Sequence, residues 1–173
     1  MNKVIARHDD FDFRMPLEIY KDIHDKFIEL ELVETAVIQF TNEGRESDWV
    51  KKKGIVDYLN TAPNWDIQLH GWSHSEYHEM TQSEIADDLQ KCLNKSTELF
   101  GKYPTVWYTP HNGRSEDMEY VAEAFGLTIS NESYDISRFI RENVSGEYKG
   151  TTFYFHGWKN DEVAQLDETI KYV

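Results

Sequence analysis

Three short segments of this chain place carboxylate, imidazole and cationic side chains where an apolar run stops. They are Arg7-His8-Asp9-Asp10 after Val4-Ile5-Ala6, His70-Gly71-Trp72-Ser73-His74 after Ile67-Gln68-Leu69, and His156-Gly157-Trp158 after Thr152-Phe153-Tyr154-Phe155. Two histidines and a carboxylate can hold a divalent cation, and a spare carboxylate and a spare histidine can then act as base and acid. His70 and His74, four residues apart, are the strongest pair. In a strand-end turn or a single helical turn both imidazoles can reach one ion. Asp9 and Asp10 should divide the work, one ligating and the other taking a proton from activated water. Two adjacent like charges at a buried strand end are costly without a cation, so an ordinary acidic loop running on to Asp12 is the competing reading. His156 can be a third ligand or the acid that protonates a leaving amine or alcohol. His8 and His111 are alternative ligands. The turn Pro110-His111-Asn112-Gly113 can aim backbone N–H groups at a developing oxyanion. Trp72, Trp107 and Trp158 lie near these loops, where a sugar ring can stack on them, although each can equally be core.

These residues need strands that end on one face. Apolar runs read as strands over Lys3–Arg7, Thr35–Phe40, Asp66–Leu69, Thr105–Tyr108, Leu127–Ser130 and Thr151–Phe155, with a weaker one near Ile136–Ile140. Helical patterns alternate with them. Residues 82–100 open on a capping box, Thr81 with Glu84, carry Ile85, Leu89, Leu93 and Phe100 inward, and stop at Gly101 before Pro104. Cys92 falls within this helix as a buried structural thiol. Residues 116–125 start at Ser115, bury Met118, Val121, Ala122 and Phe125, and stop at Gly126. A helix over 17–30 buries Ile19, Ile23, Phe27 and Leu30, with His24 at its surface or in its packing. Others run over 48–60 from Ser47 and over 161–171 from Asn160. Strands alternating with helices imply a parallel sheet with right-handed crossovers. The chain has 173 residues, whereas a full eightfold barrel usually needs ~250. The expected fold is therefore α/β, a small distorted (β/α) barrel, with an open doubly wound sheet as the alternative.

Composition narrows the function. One domain over 1–173 is expected, and 39% hydrophobic with 14% aromatic residues can build a core. The net charge of −14, from 32 acidic and 18 basic residues, argues against nucleic acid as a partner and favours a neutral substrate. No run approaches the ~20 apolar residues of a membrane span. The amino terminus reads as lacking a signal peptide, and one cysteine fits a reducing compartment, so a cytoplasmic location is expected.

In order along nearly the whole chain, the motifs resemble those of the polysaccharide deacetylase family, the NodB-homology domain of carbohydrate esterases. His8-Asp9-Asp10-Phe11 is similar to its first motif and His70-Gly71-Trp72-Ser73-His74 to its second. Trp107-Tyr108-Thr109-Pro110-His111-Asn112-Gly113, then Phe125-Gly126-Leu127-Thr128, stand in the place of the third. Thr152-Phe153-Tyr154-Phe155-His156 is similar to the last. The resemblance implies a distorted (β/α)7 barrel that removes N- or O-acetyl groups from an acetylated sugar or glycan, N-acetyl first. It implies Asp9 as general base, Asp10, His70 and His74 as ligands of a divalent metal, and His156 as general acid. The amide of His111 would help form the oxyanion hole, with Tyr108, Trp72 and Trp158 near the substrate. Zinc is the first choice of metal, with cobalt or nickel also fitting.

Two positions depart from the pattern. Tyr108 stands where the family's arginine should steady the base, leaving Arg7, Arg114, Arg138 or Arg141 to replace it. The family's Asp-Trp motif is not evident around Ser130-Asn131-Glu132-Ser133-Tyr134-Asp135. A sugar-binding relative that kept the metal and lost turnover is thus one rival. A metal-dependent phosphoesterase is another, although its His-Asp dyad belongs on a helix and His8-Asp9 follows a strand.

Overall fold

A computed structural model describes residues 5–12, 14–41, 52–130, 134–145 and 152–169. Seven parallel strands form one sheet: β1 (Ile5–Phe11), β2 (Glu34–Gln39), β3 (Trp65–Gly71), β4 (Val106–Trp107), β5 (Thr128–Ile129), β6 (Tyr134–Asp135) and β7 (Thr152–Phe155). Six helices lie between and after them: α1 (Leu17–Glu29), α2 (Lys53–Thr61), α3 (Gln82–Phe100), α4 (Glu116–Ala124), α5 (Ile136–Ser145) and α6 (Asn160–Thr169). The strand order β5-β4-β3-β2-β1-β7-β6 is a cyclic permutation of the sequence order. A doubly wound sheet would reverse direction at a switch point. This winding never reverses, which is the connectivity of a barrel. Among the described residues β5 and β6 do not pair, so the result is a distorted (β/α) barrel open on that side. No helix of the described residues is long and apolar enough to cross a membrane.

The helix signals act as their chemistry dictates. Thr81 and Glu84 close the capping box of α3, and Gly101 ends it in the left-handed region at φ 62°. Ile85, Leu89, Cys92, Leu93 and Phe100 are buried. In α4, Ser115 caps the start and Met118, Val121 and Ala122 point inward. The expected helices over 48–60 and 161–171 are α2 and α6; residues 42–51 and 170–173 lie outside the described residues.

Two elements differ from the sequence reading. The buried face of α1 is Tyr20, Ile23, His24 and Phe27, while Ile19 and Leu30 are exposed. The face is turned because the polar tips of Tyr20 and His24 find partners inside: Tyr20 donates to the Asp12 carbonyl, and His24 bonds Glu34 and the Pro63 carbonyl. The weak strand expected near Ile136–Ile140 is the start of α5. Asp135 Oδ1 accepts the Arg138 N–H at 2.9 Å as a helix cap, and Ile136 and Phe139, three apart, are buried.

Bulges do the positioning that a regular strand cannot. Side chains of consecutive strand residues point to opposite faces. Between His8↔Ala36 and Phe11↔Ile38, β1 advances three residues while β2 advances two, and Asp10 takes a positive φ of 52°. The extra residue turns Asp9 and Asp10 toward the same end of the barrel. A second irregularity lies between Leu69 and Gly71 of β3. Gly71 has φ 129°, and a Cβ there would meet Tyr77 Oη at 2.6 Å, the same hydroxyl that accepts the Trp72 N–H at 2.8 Å. We expect Gly71→Ala to lose about 1–3 kcal/mol from backbone strain alone and to weaken cation binding by the turn. Gly101→Ala, with nothing within 4 Å of its Cβ, should lose only about 1–2 kcal/mol and leave cation binding unchanged. Thermal denaturation with metal titration of the two variants checks this.

Candidate active site

β1, β3 and β7 bring their chemistry-bearing ends together, with the turn after β4 closing the group. Asp9, His70, His74, Thr109, His111, Asn112, Tyr154 and His156 line a cleft of about 150 Å³.

Asp10, His70 and His74 form the one group among the described residues whose ligand atoms are placed to share a metal ion, all within 4.8 Å of one another. His70 Nε2 and His74 Nε2 lie 3.1 and 3.2 Å from Asp10 Oδ1. This buried oxygen makes no hydrogen bond within the protein. Three ligands around a tetrahedral ion at ~2.0–2.1 Å stand ~3.3 Å apart, so the donor set and its spacing fit a divalent cation. The Nδ1 of His70 donates to the Tyr108 carbonyl at 2.7 Å, which leaves Nε2 bare for a metal. Burial opposes the charge on Asp10, but the imidazoles of His70 and His74 outweigh it and hold the carboxyl below the usual range.

Asp9 is held separately. Arg7 donates from Nε to Oδ1 at 3.1 Å and from its terminal NH2 to Oδ2 at 2.6 Å. Residues two apart share a strand face, so the fork meets the carboxylate within β1 itself. Arg7 is 1% exposed, an unusual place for a cation. Its guanidinium lies 4.2 Å over the Tyr108 ring and 5.6 Å from that of Tyr154. Of the four arginines named as replacements for the one expected at 108, Arg7 is therefore the one that meets Asp9, with its guanidinium over the Tyr108 ring. The other candidates are elsewhere: Arg114 pairs with Glu119 at 2.6 Å, and Arg138 and Arg141 lie exposed on α5.

His156 has a partner that the sequence did not announce. Glu162 Oε2 accepts the His156 backbone N–H at 2.7 Å and its Nδ1 at 2.9 Å, while Oε1 accepts from Lys159 Nζ at 2.8 Å. The other ring nitrogen lies 3.9 Å from Asp10 Oδ2. Burial raises the Glu162 carboxyl, but contacts with His156 and Lys159 prevail and bring it from an ordinary 4.5 to about 2. Its stabilising contribution is therefore complete above pH 4.5 and lost as pH falls through about 2. No signal beyond an acidic residue in the first turn of α6 marked Glu162 in the sequence.

The remaining candidates are placed as follows. His8 lies beneath the site with both ring nitrogens engaged, by Glu34 at 2.7 Å and by the Gly157 N–H at 3.0 Å. His111 sits beside His74, ring centroids 4.2 Å apart, with Nε2 3.3 Å from Glu76. His111 and Asn112 both have φ 54°, which folds the turn tightly around the cleft. Trp158 is 47% exposed, its ring 5.5 Å from His156 and flanked by Arg14 and Lys159. Trp72 stacks on Phe40 at 5.8 Å, and Trp107 is fully buried against Tyr77; neither lines the cleft. Asp12 turns away to Arg14.

Known proteins share this architecture. A carbohydrate esterase of family 4 from Streptomyces lividans, solved in complex with acetate, superposes with a TM-score of 0.77 at 14% identity, over 99% of this chain and 87% of that one. The peptidoglycan deacetylase PdaC from Bacillus subtilis gives 0.72 at 16%, over 98% and 82%. A family 4 pseudoenzyme from Bacillus anthracis gives 0.76 at 15%, over 98% and 59%. At these identities the likeness is one of fold. No curated protein matches the chain by sequence. The profile of polysaccharide deacetylases does match, over residues 34–130, more than half of the chain. The matched span holds β2 through β5 and both histidines of the second motif, and the fold supplies β1 and β7 around it. The chain belongs to the polysaccharide deacetylase family.

Proposed function

We propose that this protein is a metal-dependent deacetylase that removes acetyl groups, N-acetyl first, from a sugar or glycan. The observation that carries the reading is the division of labour in one small cleft. Asp10, His70 and His74 converge as ligands, Asp9 is turned to Arg7, and His156 is turned to Glu162. A divalent cation bound there, zinc by the donor set, would acidify water and polarise the acyl carbonyl. Asp9, oriented through both oxygens, takes a proton from the attacking water. His156, oriented through Nδ1, gives a proton from Nε2 to the departing amine. The backbone amide of His111 faces the developing oxyanion. Trp158, exposed beside His156, is the aromatic surface for the sugar outside the cleft. A glycan substrate is supported by the Bacillus subtilis neighbour, and a neutral one by the net charge of −14.

A second reading has one observation behind it. Tyr108 stands where the family resemblance expects arginine, and one structural neighbour is a pseudoenzyme. The Arg7–Asp9 fork argues for turnover, because it supplies the missing support by another route. Arg7→Ala should lower kcat by about 10²-fold or more with metal content unchanged, since the base then loses its orientation. Adding Tyr108→Arg to that variant should recover part of the loss, because position 108 already touches the space of the guanidinium. Acetate release by the wild type, the single variant and the double variant is the measurement. An Arg7→Ala variant as active as wild type would remove the assigned support.

Metal titration checks the ligand set. Wild type should bind one zinc ion per chain, and His74→Ala and Asp10→Asn should lose most of that affinity while the fold is kept. Chelation should abolish acetate release, and zinc, cobalt or nickel should be tested for restoring it.

Base and acid are separated by the leaving group. Asp9→Asn should keep the metal and lose about 10²–10⁴-fold on every substrate. His156→Ala should lose as much on an N-acetyl sugar but little on an aryl acetate, whose leaving group departs without a proton. Equal losses on both substrates would show that His156 is not the acid.

A further inference from the structure

Behind the cleft lies a buried polar chain that the proposed reaction does not use. His8, His24 and Glu34 are each at most 1% exposed. His24, on α1, faces oxygen from both ring nitrogens: Glu34 Oε2 at 2.8 Å and the Pro63 carbonyl at 2.7 Å. A carbonyl can only accept, so Nε2 carries a proton. Nδ1 and the Glu34 carboxyl share one further proton between them. The second oxygen of Glu34 faces His8 Nδ1 at 2.7 Å. The Nε2 of His8 accepts the Gly157 N–H at 3.0 Å, which fixes His8 as the neutral tautomer with its proton on Nδ1. The chain thus runs from α1 through β2 and β1 and ends on the peptide that follows His156.

A buried polar or ionic pair is weak evidence for stability, because apolar side chains of the same volume often do as well. The surroundings here are apolar and aromatic: His8 lies 4.8 Å from Phe11 and 4.7 Å from Phe155, ring to ring. A phenylalanine would suit that space, yet it could not hold the Gly157 N–H. The approach is also close from the other side. A Cβ on residue 157 would meet His8 Nε2 at 2.3 Å and Met15 Cε at 2.7 Å. Histidine at 8 and glycine at 157 therefore require each other.

We propose that His8 is a positioning residue for His156. Glu162 orients the imidazole from the α6 side, and His8, braced by Glu34 and His24, fixes the backbone one residue on. Together they set where His156 Nε2 stands in the cleft. The inference rests on His156 being the acid.

The test compares acetate release from an oligomer of N-acetylglucosamine with hydrolysis of 4-nitrophenyl acetate. It uses the full chain as wild type, His8→Phe, His8→Gln, Gly157→Ala and His156→Ala. His8→Phe should lose about 10–10²-fold on the amide, the effect of a small misplacement, while aryl ester hydrolysis and zinc content stay near wild type. His8→Gln can accept from Gly157 and donate to Glu34, so it should recover most of the amide activity. Gly157→Ala should show the selective loss of His8→Phe, and it carries the test if His8→Phe does not fold. Equal losses on the two substrates in both His8→Phe and Gly157→Ala, or no loss on the amide, would overturn the role of His8. If His156→Ala itself loses both activities equally, the acid assignment falls and the inference falls with it. If His156→Ala is selective and the other two are not, only the positioning role is overturned.

Discussion

The constraint on which this site turns is the repulsion between two adjacent carboxylates. Asp9 and Asp10 are turned toward the same end of the barrel by the bulge in β1, and both are largely removed from water. Like charges so close raise each other's pKa unless each has its own compensation. The fold separates them by partner. Asp9 receives the Arg7 fork, and Asp10 faces two imidazole Nε2 atoms that can pair with it directly or share a cation with it. Under the proposed function, one carboxylate is thereby reserved as an oriented base and the other as a ligand. The roles follow from which neighbour each oxygen faces, since the two residues are chemically identical.

Both supports of the proposed acid and base are local in sequence. Arg7 is two residues before Asp9 on the same strand, and Glu162 is six residues after His156, at the start of α6. β1 is paired on both sides, with β2 and β7, so Arg7 springs from hydrogen-bonded backbone. The cation can be buried because Tyr108 offers its ring face instead of a charge. A second arginine at 108 would put two guanidiniums into the space that one carboxylate neutralises. Tyrosine at 108 is thus the complement of arginine at 7.

What the sequence showed, and what it hid, divides by the kind of signal. The barrel, α3 with its capping box and the strand ends that carry His70, His74 and His156 were legible, because periodicity and caps are local and additive. The helix at Ile136 was misread as strand although Ile136 and Phe139 are helically spaced and Asp135 caps it, because a short apolar run satisfies either period. The face of α1 is only partly legible: Ile23 and Phe27 are buried as expected and His24 is in the packing, but Tyr20 replaces Ile19 and Leu30, because the partners of Tyr20 and His24 lie just after β1, in β2 and in the loop before β3. Asp10's positive φ and the bulge that places it were illegible for the same reason, as register belongs to the pair of strands. Arg7 stood among four possible arginines, and only tertiary geometry chose it.

The buried His8–Glu34–His24 chain extends this logic to the far side of the barrel. A polar network inside an aromatic core adds little stability over apolar packing, but it has discrete geometry, since each proton has one place to go. Apolar contacts tolerate small slides, whereas a hydrogen bond from the Gly157 peptide to one ring nitrogen does not. A slide of the β7 end would carry His156 with it, because the histidine follows that strand directly. The position of His156 is therefore referred, through four hydrogen bonds, to α1 and to the carbonyl of Pro63, which immobilises it from the rear while the cleft stays open at the front.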